Sequence, residues 1–367
     1  MAEFFSDLTR EERLPLVLTR LFEGYGYRRF RMSKFETYDI YNRHRNFIDG
    51  AGVVTFTDTD GRLMALKPDV TLSIAAGAGD VESEKKVYYF ESIFRRDRNG
   101  ELKELPQTGI ECIGGDSAYA VYEAVSLALR SLKAIGGETM LTVGNLDFAQ
   151  SFPAFSVLSA AEKKQAVREI GAKNFHGLSE LAARSGVAEA EVDALAAAVS
   201  LTGGAEEVLE RARLLAKNEA GRLALADTAA LFAALSAAGL GQSVNLDFSL
   251  TNDLSYYNGI VFQGYVRGLP RAVLSGGQYD NMMRRLGKSM PAVGFALQLG
   301  ELARIFVSEA ETDCDVLLEY GDAPLCEVIR ASDKLVEKGL RVRCVKTDPG
   351  GIRYTEKTVL SAGKGRA

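Results

Sequence analysis

The apolar positions along the chain fall into distinct rhythms, each marking a different part of the fold. Within residues 8–24, Leu14, Leu18, Leu21 and Phe22 recur at helical spacing with Leu16 among them, and Gly24 and Gly26 stand where that helix should stop. Residues 27–32 then read as a strand. VVTFT (53–57) and RLMAL (62–66) flank Asp60-Gly61, a pair suited to a tight primed hairpin turn, and residues 70–76 can start a helix packed behind it. KVYYFESIF (86–94) and QTGIECI (107–113) alternate and are rich in β-formers. They predict two antiparallel strands joined by a charged hairpin containing Asn99-Gly100. An Ala/Leu-rich helix over 116–134 and a strand over 139–143 follow.

From about 155 to 240 the chain is dominated by Ala, Leu, Glu, Lys and Arg, with Gly203-Gly204 among short breakers. Alanine and leucine have the best helix propensities, so this stretch predicts a bundle of small helices. The β-pattern returns at 243–248, 259–266 and 270–275. One antiparallel sheet interrupted by a helical insertion accounts for this better than three independent domains. Beyond 312, CDVLLE (314–319) and RVRCVK (341–346) flank a helical pattern over 323–338, predicting a strand–helix–strand unit. The last 20 residues hold few apolar groups and are expected to be partly disordered. The expected fold is α+β: a core over 1–310 carrying the insertion at about 155–240, and a short tail over 311–367.

Composition narrows the function classes. The 367 residues are 47% hydrophobic and 25% charged, as in an ordinary globular protein. A net charge of -5 gives no global basic field for a nucleic-acid backbone. The four cysteines, at 112, 314, 326 and 344, form no CxxC pair, and His44 and His176 are the only histidines, so no metal site is expected and a reduced compartment is. The N-terminal residues carry scattered charges instead of a leader's separate basic and apolar regions, and no long uncharged apolar run occurs. The expectation is a cytoplasmic protein with no membrane contact.

Three groups of residues can carry chemistry. Gln107 and Glu111 lie four apart, so on a strand they share a face, with Gly109 between them leaving it open. A carboxylate and an amide so placed can receive an ammonium or an imidazole N–H, and Arg95 can grip a carboxylate or phosphate in forked geometry. Charges around a hairpin are also what a solvated rim looks like. Tyr256 and Tyr257 offer an apolar wall with polar tips, but adjacent residues on a strand face opposite ways, so one of them should line a pocket while the other joins core or rim. In Leu66–Lys67–Pro68–Asp69–Val70–Thr71, Asp69 can cap the following helix or hold an α-ammonium.

Taken in order, these segments resemble a class II aminoacyl-tRNA synthetase core of the histidyl branch. The order is a tyrosine-rich strand with a Phe94-Arg95 pair, QxGxE, a helical insertion, LxYYxxxxF, then GGQYD and PAVGFA. The likeness covers roughly residues 5–308, and the tail resembles the beginning of the family's anticodon-binding domain. It implies that Asp69, Thr71, Arg95, Gln107, Glu111, Tyr256 and Tyr257 bind histidine. It also implies that family arginines of the ATP site are replaced here: Asn252 stands before the tyrosine pair, Gln278 in GGQYD, and Glu301 where an arginine holds the γ-phosphate. ATP carries several negative charges, so a glutamate there removes an attraction and adds a repulsion. Adenylation is expected to fail.

Such a pattern is similar to the synthetase-like regulatory subunits of ATP phosphoribosyltransferase. That resemblance implies a non-catalytic subunit, without cofactor, metal or tRNA. It further implies a homodimer within a hetero-oligomer, an octamer by resemblance, containing the short-form catalytic subunit and binding free histidine. The alternatives are an active histidyl-tRNA synthetase that draws on neighbouring cations such as Arg284, Arg285 or Arg304, and another histidine-sensing paralogue.

Overall fold

The computed structural model describes residues 8–43, 53–79, 84–97, 99–251, 256–306 and 312–360. They fall into two compact units, Met1–Arg304 and Ile305–Ala367. The division lies inside the helix Leu299–Phe306, a few residues before the expected 310/311 boundary.

The first unit is built on a nine-stranded sheet. Its order is Arg28–Arg29, Lys85–Arg96, Leu102–Ile113, Ala292–Gln298, Leu274–Gln278, Asn258–Val266, Thr139–Asn145, Val244–Asp247 and Thr202–Gly204. The central pairings are antiparallel, and parallel pairs occur only towards the two edges. Strands separated by well over a hundred residues lie side by side, as the expected interrupted sheet requires. The alternation in KVYYFESIF extends further than the sequence suggests: the two strands run on to Arg96 and from Leu102, leaving a tight turn. Gly100 takes φ +83° there, and Asp97 Oδ1 accepts the Asn99 and Glu101 N–H groups.

One face of the sheet is covered by the helix Ser117–Ile135, capped by Asp116. A β-carbon at Gly264 would lie 2.8 Å from Leu132 Cδ1, so glycine there lets the helix sit close. The other face carries the helix Val70–Ala76, and Val70, Leu72 and Ile74 are buried beneath it. Two ion pairs are buried in this unit: Lys67 Nζ to Glu91 Oε2 at 2.8 Å, and Lys86 Nζ to Glu123 Oε1 at 2.5 Å. Next to Lys67 a small sheet of Phe35–Thr37, Leu63–Leu66 and Thr55–Thr57 holds the expected hairpin. Its turn is not the tight primed one. Gly61 N–H donates to Asp58, Asp58 N–H to Arg62, and Gly61 sits at φ +79°, a type I turn closed by a left-handed glycine.

The insertion forms helices Pro153–Val157, Ala160–Gly171, Phe175–Arg184, Glu189–Val199, Ala205–Leu215 and Glu219–Ala237. Ser159, Asn174 and Asn218 cap three of them through side-chain oxygens. It is not purely helical: Thr202–Gly204, expected as a breaker, becomes the edge strand beside Val244–Asp247. Glu219–Ala237 is apolar enough and long enough to cross a membrane by composition, yet Leu225, Leu231 and Leu235 are buried against neighbouring helices.

The second unit is a parallel sheet ordered Val342–Val345, Cys314–Glu319, Tyr354–Val359, with the helix Leu325–Val336. The expected strand–helix–strand is present, but the tail does not end there. Tyr354–Val359, assigned to a partly disordered stretch, pairs along Cys314–Glu319. Lys357 reaches Glu319 at 2.7 Å and Asp348 at 3.1 Å, a modest addition to the backbone ladder that holds this strand.

Candidate functional site

Four adjacent strands form a floor whose upward-facing residues follow from register. Opposed residues in a ladder share a face. Tyr89 opposes Gly109 and Val87 opposes Glu111, while Gly294, Ala296 and Gln298 oppose Glu111, Gly109 and Gln107 in turn. Above this floor lies a cavity of about 260 Å³. It is lined by Asp69, Thr71, Arg95, Gln107, Glu111, Tyr256 and Tyr257, all seven of the residues expected to bind histidine, together with Tyr89, Ser275, Tyr279 and Gln298. The volume is below the roughly 300–1,000 Å³ of drug-sized pockets and suits an amino acid.

Asp69 performs the first of the roles left open above, the helix cap, and keeps its second oxygen towards Arg95. Its Oδ1 accepts Leu72 N–H at 2.7 Å as the helix cap, and its Oδ2 lies 3.5 Å from Arg95. Arg95 also donates from Nε to the Pro68 carbonyl at 2.9 Å, tying the strand to the turn that presents Asp69. Thr71 donates to Glu111 Oε1 at 2.5 Å, and Gln298 donates to Gln107 at 3.2 Å. The Glu111 Oε2, Tyr89 and Tyr279 oxygens are buried and make no hydrogen bond of good geometry, although Tyr279 approaches Glu111 and Tyr89 approaches Thr71 closely enough to affect their protonation. A β-carbon at Gly294 would collide with Glu111 Oε2, and one at Gly109 would lie 2.7 Å from Tyr89 Oη. The glycines make room for this polar cluster as much as for a ligand.

Burial raises Asp69 above the ordinary carboxylate range, with Arg95 pulling the other way. Glu111 is raised to about 8, chiefly by burial, against the lowering effect of Thr71 and Tyr279. Tyr89, Tyr256 and Tyr279 are held well above the usual phenol range, again chiefly by burial, and so keep their protons. The cavity thus offers two carboxyl groups, neutral hydroxyls, an amide pair and one guanidinium. That set can hold an ammonium, a carboxylate and a ring bearing N–H groups.

Tyr256 and Tyr257 both line the cavity, contrary to the alternation expected of strand residues. They precede the strand Asn258–Val266, and their rings tilt against each other at 4.6 Å between centroids. Asn281 donates to the Tyr257 carbonyl at 3.0 Å and helps fix their backbone.

The three expected ATP-site positions separate. Glu301 lines a second cavity of about 630 Å³, which shares Ile93, Arg95 and Gln298 with the first. Its other charged lining residues are Arg95, Arg96, Lys103, Arg271 and Arg304 against Asp97 and Glu104. Glu301 pairs with Arg304 at 3.6 Å, and the cationic lining residues still outnumber the three acidic ones. Arg284, by contrast, is turned to Asn281. Gln278 belongs to neither cavity. It lies on the face of the helix Ser117–Ile135, where its Oε1 accepts Ile260 N–H at 2.8 Å across a register shift between Asn258 and Val261. It is a backbone prop that lines neither cavity, where the resemblance had it as a lost ATP-site position. Asn252 lies outside the described residues, as does His44. No group of three His, Cys, Asp or Glu suited to a metal occurs among the described residues.

Tyr89, Tyr279 and Gln298 escaped the sequence reading. Strand parity was the available signal: Tyr89 opposes Gly109, and Gln298 repeats the Gly294, Ala296 face.

Comparison with known proteins agrees with this geometry. The histidyl-tRNA synthetase family model matches residues 6–302. An ATP phosphoribosyltransferase regulatory subunit of Bacillus cereus is 27% identical over 353 residues, covering 92% of this chain and 83% of the relative. One of Clostridium kluyveri is 26% identical over 349 residues, covering 92% and 89%. A solved ATP phosphoribosyltransferase regulatory subunit/histidyl-tRNA synthetase of Bacillus halodurans superposes with a TM-score of 0.79 at 24% identity, over 95% of this chain and 93% of that one. A histidyl-tRNA synthetase of Nostoc superposes at 0.73 with 17% identity, over 94% and 85%. The class II synthetase-like fold is therefore shared with both groups, and the chain belongs to the histidyl-tRNA synthetase family.

Proposed function

We propose that this chain is a non-catalytic regulatory subunit of ATP phosphoribosyltransferase that binds free histidine in the cavity over Glu111. The observation that carries the reading is the convergence of Asp69, Thr71, Arg95, Gln107, Glu111, Tyr256 and Tyr257 on one amino-acid-sized cavity in which Glu111 Oε2 makes no hydrogen bond of good geometry. A buried polar atom without a well-formed hydrogen bond costs free energy until a partner meets it. An α-ammonium reaches Asp69, a carboxylate reaches Arg95, and an imidazole meets Glu111 and the tyrosines. The names of the relatives support the pathway. In this reading the chain works in the cytoplasm as a homodimer within a hetero-octamer, activates the short catalytic subunit, and transmits histidine feedback without tRNA. Titration calorimetry with L-histidine tests it, and absence of binding by the isolated chain refutes it.

A second reading, an active histidyl-tRNA synthetase, is favoured by one observation: Arg95, Arg271 and Arg304 share the second cavity. Histidine-dependent ATP–pyrophosphate exchange separates the two. Exchange above background assigns the chain to the synthetases.

A further inference from the structure

Lys288 lines neither cavity, yet its ammonium is anchored at the back of the first one's wall. Its Nζ donates to the Ala75 carbonyl at 2.6 Å, the Ala76 carbonyl at 3.1 Å and the Ala78 carbonyl. An ammonium has three N–H donors, and here each has a carbonyl to meet. These carbonyls lie at the end of the helix Val70–Ala76, where intrahelical donors run out and the helix dipole favours a cation. At its other end the same helix places Asp69 and Thr71 in the cavity. Seven residues are too few for a helix to hold itself in water. Burial of Val70, Leu72 and Ile74 fixes its depth, whereas a directional bond at its end fixes its position along its own axis.

Lys288 is itself fixed from the opposite wall. Its backbone N–H donates to the Met283 carbonyl at 2.9 Å, at the end of the helix Asp280–Arg285. Immediately before that helix Tyr279 lines the cavity, and within it Asn281 holds the Tyr257 carbonyl. Asp280 accepts Ala292 N–H at 2.8 Å, which ties the same segment to the floor. One side chain therefore spans the wall that bears Asp69 and Thr71 and the wall that bears the tyrosines.

We propose that Lys288 is a positioning residue that sets the distance between these two walls, and so the fit of a whole amino acid rather than of its ring alone; the ligand side of this inference rests on the histidine reading above. The test uses the full chain with Lys288→Met, which keeps the apolar stem, and Lys288→Arg, which keeps charge and donors. L-histidine binding is measured by calorimetry, imidazole binding by NMR titration, and amide exchange over residues 70–78 in the unliganded protein. For Lys288→Met we expect about tenfold weaker L-histidine binding with imidazole changed by less than about twofold, and partial recovery in Lys288→Arg. Exchange over 70–78 should quicken selectively relative to the strand Leu102–Ile113. Equal losses for the two ligands, or unchanged exchange over 70–78, overturn the proposal. If Lys288→Met does not fold, Lys288→Gln carries the same comparison. If the wild-type chain binds no L-histidine, the ligand reading falls while the exchange measurement still decides the clamp.

Discussion

Glu111→Gln keeps the shape of the side chain and an acceptor for Thr71 while removing its charge. Glu111 is almost wholly buried, and burial, with a smaller push from Asp69, raises it to about 8. Near neutral pH the unliganded cavity therefore holds it mainly protonated, and a neutral carboxylic acid differs little from an amide towards an incoming cation. A hydrogen bond to a charged group is worth about 1.5–3 kcal/mol, or roughly 10- to 150-fold in Kd. Below a pKa of about 8, each pH unit takes back up to about tenfold, because a proton must leave before the carboxylate can pair. Glu111→Gln should thus weaken L-histidine binding roughly 10- to 150-fold near pH 8.5 and by about fivefold or less near pH 6.5. Calorimetry in two buffers of different ionisation enthalpy checks the mechanism. Wild type should release more protons on binding than the variant below about pH 8 wherever the bound imidazole stays neutral and does not take up the Glu111 proton itself. A loss of equal size at every pH would refute the reasoning.

Four further outcomes follow from the same geometry. Unliganded wild type should lose stability as pH rises from about 4.3, the ordinary glutamate value, to about 8, because over that window the folded state binds the Glu111 proton more tightly than the unfolded chain does. Thermal melts of Glu111→Gln should show a shallower fall, with the contribution of the likewise raised Asp69 remaining, and an identical slope in both proteins would contradict it. Lys67→Met should cost about 3–5 kcal/mol in urea unfolding, because it strands the largely buried Glu91 carboxylate; a loss under about 1 kcal/mol would show the pair to be dispensable. Gly109→Ala should abolish L-histidine binding or folding, since its β-carbon would collide with the Phe295 carbonyl; a variant that melts and binds like wild type would refute the close approach. Gln278→Arg should leave ATP–pyrophosphate exchange at background and lower the melting temperature by removing the acceptor for Ile260 N–H, and a gain of exchange would return that position to the nucleotide site.

The sheet was legible because its strands carry their own signal. Alternation in KVYYFESIF and QTGIECI defines one face, and the glycines at 109 and 294 mark where side chains would collide. The seven candidate ligand residues came together because each belongs to a motif read in order. What failed was local geometry at strand ends. Tyr256 and Tyr257 sit just before a strand, where strict alternation does not hold, so both reach the cavity. Gln278 shares its strand face with Leu274 and Gly276, which pack towards the helix, and that parity already turned it from the phosphate side. The strand Tyr354–Val359 lacked an apolar signal because it is a largely exposed strand held by its backbone ladder to Cys314–Glu319. Lys288 was invisible in sequence, since its acceptors lie more than two hundred residues away.

The most direct test of the account is reconstitution of ATP phosphoribosyltransferase activity from a purified short-form catalytic subunit and this chain, with and without L-histidine. The account predicts that activity rises when the chain is added, falls when L-histidine is added, and becomes less sensitive to L-histidine with Glu111→Gln while activation persists. A catalytic subunit indifferent to this chain at every concentration would contradict it.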